Sequence, residues 1–126
     1  MNFPEEKADL GKQAEQHARI KLQRDGWWIT QIDWMGKKDG IWVWYEIKGK
    51  EEPFSPPPFE GHGLELYKVK MRAEFLEDTG IRSILMVQDL KNMCWFIQWL
   101  DLLEKGERFV TRNNLVIYPL EAFNKE

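Results

Sequence analysis

The chain has 126 residues, with 18 Lys and Arg against 21 Asp and Glu, a net charge of −3, and 43% hydrophobic residues. That is the size and balance of one soluble globular domain spanning residues 1–126, and it excludes a protein that grips nucleic acid through a strong overall positive field, leaving only a local basic groove. No stretch approaches the roughly 18 apolar residues of a membrane span, and the start MNFPEEKADLGK lacks the parts of a secretory signal, so a cytoplasmic protein without a membrane partner is expected.

From Asp9 to Arg24 the run DLGKQAEQHARIKLQR places Leu10, Ala14, His17, Ala18 and Leu22 near helical spacing, with Asp25-Gly26 as the stop. Trp27 to Ile32 is rich in strand formers, and Gly36-Lys37-Lys38-Asp39-Gly40 reads as a hairpin turn into IWVWYEIK. The leading positions of that run, Ile41 to Tyr45, are all β-branched or aromatic, which predicts a strand buried on both faces. Glu51 to Gly63, EEPFSPPPFEGHG, holds four of the six prolines and is expected to be a loop inside the domain. Leu64 to Asp78 predicts a second helix with Leu64, Tyr67, Met71, Phe75 and Leu76 on one stripe, closed by Thr79-Gly80. Ile81–Gln88 and Met93–Gln98 read as strands around the turn DLKN, followed by a short helix over Leu100–Lys105 and an edge strand over Leu115–Tyr118 that Pro119 stops. The predicted class is mixed α/β. The single Cys94 excludes an internal disulfide and a Cys-based zinc cluster, and its apolar surroundings, MCWFIQW, predict a small buried thiol.

The apolar strand at 41–50 ends in charge, and buried charge is costly unless something meets it. Period two puts Glu46 and Lys48 on one face, roughly 6 to 7 Å apart at the backbone. A divalent cation held by Glu46 and a second acid would offset that cost, with Lys48 orienting the attacking water. Asp33 and Asp39 are the candidates for the second acid. A hairpin folded at 37–40 brings the region of Asp33 beside Glu46, whereas Asp39 would lie at the far end of the strand, roughly 20 Å away, where turn chemistry explains it; Asp33 is preferred.

A helix carrying Glu15, an Asp33 followed by a hairpin, then Glu46-Ile47-Lys48 ending an apolar strand, then a second helix, together resemble the PD-(D/E)XK nuclease superfamily over residues 9–98. The layout is most similar to its small stand-alone members, the Holliday-junction-resolvase-like and phage-encoded nucleases. Ile32 stands where the superfamily commonly has proline before the Asp. The resemblance implies a restriction-endonuclease-like αβββαβ core, with a mixed central sheet flanked by helices, and hydrolysis of DNA phosphodiesters with Mg2+ or Mn2+. It implies that Asp33, Glu46, the backbone carbonyl of Ile47 and Glu15 hold the ion and that Lys48 is catalytic. Tyr67 and Lys70 on helix two would face the substrate, with Lys50 and His62 as further contacts, and two copies pairing so that two sites face opposite strands would suit such an enzyme.

Each residue has a plainer reading. Glu15 can pair with Arg19 on a solvated helix, Asp33 can accept a turn hydrogen bond, and Glu46 and Lys48 can form an ion pair at a strand end. His62 can cap the helix that follows it, and Tyr67 can be core. Trp34, Trp42 or Trp44 beside the site could stack on bases. An inactive nucleic-acid-binding or protein-binding member of the same fold, or an aromatic-surfaced interaction module, remain the alternatives.

Overall fold

Two residues with positive φ, Asp39 at 53° and Gly40 at 80°, turn the chain between Lys38 and Ile41. This is the Asp-Gly turn whose twist matches a hairpin. It joins β1 (Trp34–Lys38) to β2 (Ile41–Lys50) in the register Trp34↔Tyr45 to Lys38↔Ile41, and so bears out the predicted hairpin. The structure, a computed structural model, describes residues 4–27 and 34–126, with side chains from residue 9 onward. The chain divides into two units, Met1–Gln31 and Ile32–Glu126.

The first unit holds α1 (Pro4–Arg24), which begins five residues earlier than the periodicity suggests. Proline suits a first helical turn because its missing N–H would lack a partner there anyway. Lys21 and Asp25 pair at 2.9 Å across the last turn, and Gly26, at φ 89°, leads the chain out of the helix. The predicted strand over Trp27–Ile32 falls, apart from Trp27, outside the described residues, and so does Asp33.

In the second unit β2 runs parallel to β4 (Arg82–Asp89), from Val43↔Arg82 to Lys50↔Asp89. β3 (Gly61–Glu65) and α2 (Leu66–Thr79) lie between them in sequence. α2 stops at Gly80, whose φ of 75° lets its N–H return to Leu76 O. β4 pairs antiparallel with β5 (Cys94–Trp99), α3 spans Leu100–Lys105 as expected, and after β6 (Phe109–Val110) and β7 (Leu115–Pro119) the chain adds β8 (Asn124–Lys125) to β5. The main sheet is thus mixed, in the order β1-β2-β4-β5-β8, with helices packed on it; the fold is mixed α/β, as the sequence indicates.

Two expectations are corrected. Residues 61–63, read as loop, and Leu64 and Glu65, read as helix, form β3, so α2 starts at Leu66. The strand over Leu115–Pro119 is the middle of a second sheet, in the order β3-β7-β6, rather than an edge. Gly61 and Gly63 hide β3 from propensity, yet they are what permits it, because a Cβ at either position would run into the backbone carbonyl of Tyr118 or Val116 on β7. Pro119, opposite Gly61, closes the ladder instead of keeping it at an edge.

The core lies between the two sheets and the helices, with Leu85, Val87 and Phe96 from the main sheet, Leu64, Val116 and Tyr118 from the second, and Val69, Leu100 and Leu103 from α2 and α3. These elements all meet one face of the main sheet. Burial along β2 therefore alternates, with Trp44 and Glu46 buried and Val43, Tyr45 and Ile47 only partly so, and the expectation of a strand buried on both faces does not hold. Cys94 is a free, half-buried thiol packed against this core.

Candidate active site

Trp44, Glu46, Lys48 and Lys50 stand in a row on the covered face of β2, and each is met by a different partner. The guanidinium of Arg72 lies 3.4 Å from the Trp44 ring centroid, and Phe75 meets the same ring edge-on at 4.8 Å. Arg72 also forms an ion pair with Oε1 of Glu46; both residues are about 98% buried. Lys48 Nζ lies 3.3 and 3.4 Å from the two carboxylate oxygens of Glu65. Lys50 Nζ sits 3.9 Å from the ring centroid of Phe54. The row is thus answered in order by the middle of α2, the residue that precedes α2, and the proline-rich loop.

Lys68, one turn before Arg72, joins the two acids. Its Nζ is 4.0 Å from Oε2 of Glu46 and 3.7 Å from Oε2 of Glu65. Burial works to raise the carboxyl of Glu65, but a hydrogen bond from its own backbone and the charges of Lys48 and Lys68 outweigh it and hold the group below its ordinary range. Glu65 therefore keeps its charge and holds Lys48 in place.

A pocket of about 210 Å³ opens beside Lys48, lined also by Lys50, Phe54, His62, Gly63, Glu65, Val87 and Leu115. It lies outside the carboxyl ends of the parallel pair β2 and β4, the end at which open α/β sheets bind ligands. At its back His62 is fully buried, with Nε2 2.8 Å from Oδ2 of Asp89 and the ring packed on Phe96 and Phe123. Asp89, also fully buried, accepts further hydrogen bonds from the backbone N–H of Asn92 to Oδ1 and from the Asn92 amide to Oδ2, each 2.9 Å. Burial lowers the His62 value, outweighing Asp89, and Asp89 is held low against its own burial by the Asn92 and His62 bonds. The pair is a neutral imidazole donating to a carboxylate.

The structure brings Glu46, Lys48, Lys50 and His62 into one region of the second unit. Glu46 and Lys48 do not pair with each other, as the plainer reading has it, but with α2 and its approach. Tyr67 is 61% exposed and Lys70 is exposed, while Lys68 and Arg72 take the inward positions. Glu15 lies in α1 of the first unit, and Asp33 lies outside the described residues. Asp39 occupies the hairpin turn, beyond the Ile41 end of β2. Trp44 is buried, whereas Trp34 and Trp42 are exposed, the latter with the Lys37 ammonium 5.6 Å from its ring.

Sequence reasoning misses Arg72, Lys68, Glu65, Phe54 and Asp89. Lys68 and Arg72 do carry a signal, two cations four apart flanking Val69 on a helix, which places them on its inward face.

A hard divalent cation takes oxygen ligands, with magnesium commonly using one or two carboxylates and several waters. Oε2 of Glu46 suits it, being buried and, among the described residues, accepting no hydrogen bond. Among the described residues no three His, Cys, Asp or Glu side chains gather as a metal group. Lys68, 4.0 Å from Oε2 of Glu46, would have to draw back.

No protein-family profile matches the chain, and no curated protein matches it. Among solved structures it is similar to Hjc, a Holliday junction resolvase from the archaeal hyperthermophile Archaeoglobus fulgidus, at 14% identity and a TM-score of 0.46 over 82% of this chain and 84% of that one. Among the described residues no helix is long and apolar enough to cross a membrane.

Proposed function

We propose that the protein is a metal-dependent nuclease that hydrolyses DNA phosphodiester bonds. The observation that carries this reading is the buried Oε2 of Glu46, which among the described residues accepts no hydrogen bond and has the Lys68 ammonium no nearer than 4.0 Å, on the same strand face as a Lys48 that lines an open pocket. A fold does not leave a charged oxygen without a donor at no cost, and a cation supplied with the substrate would meet that need. Magnesium or manganese would be held by Glu46 with Asp33 and the Ile47 carbonyl, and would supply positive charge at the phosphate. Lys48, steadied by Glu65, orients water toward the phosphorus and offsets charge growing on the phosphate oxygens. Lys50 adds a second cation at the mouth, and the buried His62 lines the wall behind it. Pairing of two copies would let each cut one strand of a duplex or branched substrate.

A second reading follows from Arg72 and Lys68, which already face Glu46: an inactive protein on this fold that binds DNA through Lys48 and Lys50. Plasmid, linear, single-stranded and four-way-junction DNA incubated with and without magnesium separates the two. The nuclease reading expects cleavage that stops in chelator, is lost in Asp33→Asn and survives in Asp39→Asn. Cleavage undiminished by excess chelator contradicts it, and binding without cleavage under every metal condition favours the second reading.

A further inference from the structure

The cleavage chemistry leaves one wall of the pocket largely unused. Lys50 and Phe54 form it, with the ammonium 3.9 Å from the ring centroid. Lys48 is committed to Glu65, but among the described residues Lys50 has no carboxylate within ion-pair distance. A cation without an anion and an aromatic ring, both lining a cavity, are the two elements that single-stranded nucleic acid engages: phosphate on the ammonium, base on the ring.

The wall is also held in place. Phe54 N–H donates to Gly61 O at 2.9 Å, and Gly61 N–H donates to Phe54 O at 3.0 Å, tying the loop to β3. Pro56, Pro57 and Pro58 fill the span between those bonds and restrict its backbone. A ring fixed in this way loses little freedom on stacking. The nearby Glu65 does not repel a phosphate as a lone acid would, because Lys48 and Lys68 both face it.

Size sets what can enter. The cavity, about 210 Å³, lies below the roughly 300 to 1,000 Å³ of pockets that take drug-sized ligands. It has room for part of one nucleotide and none for a base pair. A base inside a continuous duplex must be unpaired and unstacked before it can enter, whereas a base in a tail, flap or gap is already free.

We propose that Lys50 and Phe54 form a subsite for one unpaired nucleotide beside the phosphate addressed by Lys48, and that this subsite makes the enzyme prefer DNA with a single-stranded segment at the cut over continuous duplex. The proposal rests on the nuclease reading and names its substrate class. On binding, the Lys50 ammonium moves from the ring to the phosphate, and the base takes its place over Phe54.

The test is fluorescence anisotropy with the full chain in calcium buffer, comparing a blunt duplex with the same duplex carrying a short single-stranded tail. The tailed DNA is expected to bind about tenfold more tightly, Phe54→Leu to remove that advantage while leaving blunt-duplex affinity within about twofold, and Phe54→Trp to keep it. Lys50→Gln is expected to weaken binding to both DNAs, more for the tailed one. Equal affinity of the unaltered protein for the two DNAs overturns the proposal alone, as does a tail preference that survives in Phe54→Leu. No affinity for any DNA overturns the nuclease reading and this proposal together. Thermal melting of each variant shows whether it is folded, and the rescue by Phe54→Trp separates a lost ring from a disturbed loop.

Discussion

Among the described residues of the second unit two acids are buried, Glu46 on β2 and Asp89 at the end of β4, and the fold treats them differently. Asp89 accepts three hydrogen bonds, from the Asn92 backbone, the Asn92 amide and His62, so both of its oxygens are satisfied. Glu46 has one oxygen facing Arg72 and another that, among the described residues, accepts no hydrogen bond and has only the Lys68 ammonium at 4.0 Å. They lie on neighbouring parallel strands, Glu46 in the middle of β2 and Asp89 at the carboxyl end of β4. A fully bonded carboxylate closes a turn and fixes a neighbouring strand, whereas a partly bonded one still has affinity for a cation. On the proposed reading it is not burial but the oxygen left without a hydrogen bond that sets Glu46 apart from Asp89.

The comparison breaks first at Arg72. Arg72→Met leaves the Glu46 carboxylate buried against an apolar chain and is expected to cost about 3–5 kcal/mol of stability, as removing one member of a buried ion pair does. Adding Glu46→Gln to it should recover most of that loss, because the uncompensated charge is gone. Urea unfolding of the two variants measures both effects, and an Arg72→Met protein as stable as the parent would show that Glu46 does not depend on that guanidinium.

A smaller effect is expected at Lys48, whose ammonium touches Glu65 and not Glu46. Lys48→Ala should lower single-turnover cleavage by roughly 10²-fold, about 2.7 kcal/mol, with manganese affinity nearly unchanged. Full activity in this variant would withdraw its catalytic role.

The smallest effect sharpens the Asp89 side. His62 has a folded value below its ordinary 6.5, owing to burial, so above that pH the folded and unfolded chains hold equal protons there and nothing is lost. As pH falls below it, the unfolded chain takes up a proton that the folded chain refuses, and stability declines until the lowered folded value is passed. Asp89 adds a second loss: its folded value lies below the ordinary 3.8, so its contribution is present above that pH and disappears as pH drops through the folded value. Urea midpoints measured from neutral pH into acid should show the two losses in that order, and His62→Gln should remove the first. A midpoint flat from pH 7 to 5 in the parent protein would mean that His62 takes up its proton as readily in the fold as in the unfolded chain, and would contradict the lowered value.

Much of this arrangement is legible in the order of residues alone. KKDG specifies a hairpin through Asp39 and Gly40, period two puts Glu46 and Lys48 on one face, and the α3 boundaries follow from LDLLEK. What stays hidden has physical causes. β3 lacks the β-branched residues by which strands are recognised, because close approach to β7 requires Gly61 and Gly63. The spacing of Lys68 and Arg72 beside Val69 puts them on the inward face of α2, but nothing in the helix's own sequence names the acid on β2 that they meet. Asp89 reads as turn chemistry, which it is, and nothing local announces that His62, 27 residues earlier, will meet it. The tryptophans suggest stacking platforms, but Trp44 is spent beneath Arg72, and a phenylalanine in a proline-rich loop stands in the pocket instead.

The most direct test sets the two acids against each other in one assay: magnesium-dependent cleavage of tailed DNA by Glu46→Gln and by Asp89→Asn, each corrected for its folded fraction. Glu46→Gln should remain folded and lose cleavage by about 10³-fold or more, while Asp89→Asn should lose about 1–3 kcal/mol of stability yet cut at close to the parent rate per folded molecule. Cleavage retained in Glu46→Gln, or abolished in a folded Asp89→Asn, would contradict the assignment of the unsatisfied carboxylate as the centre of the site.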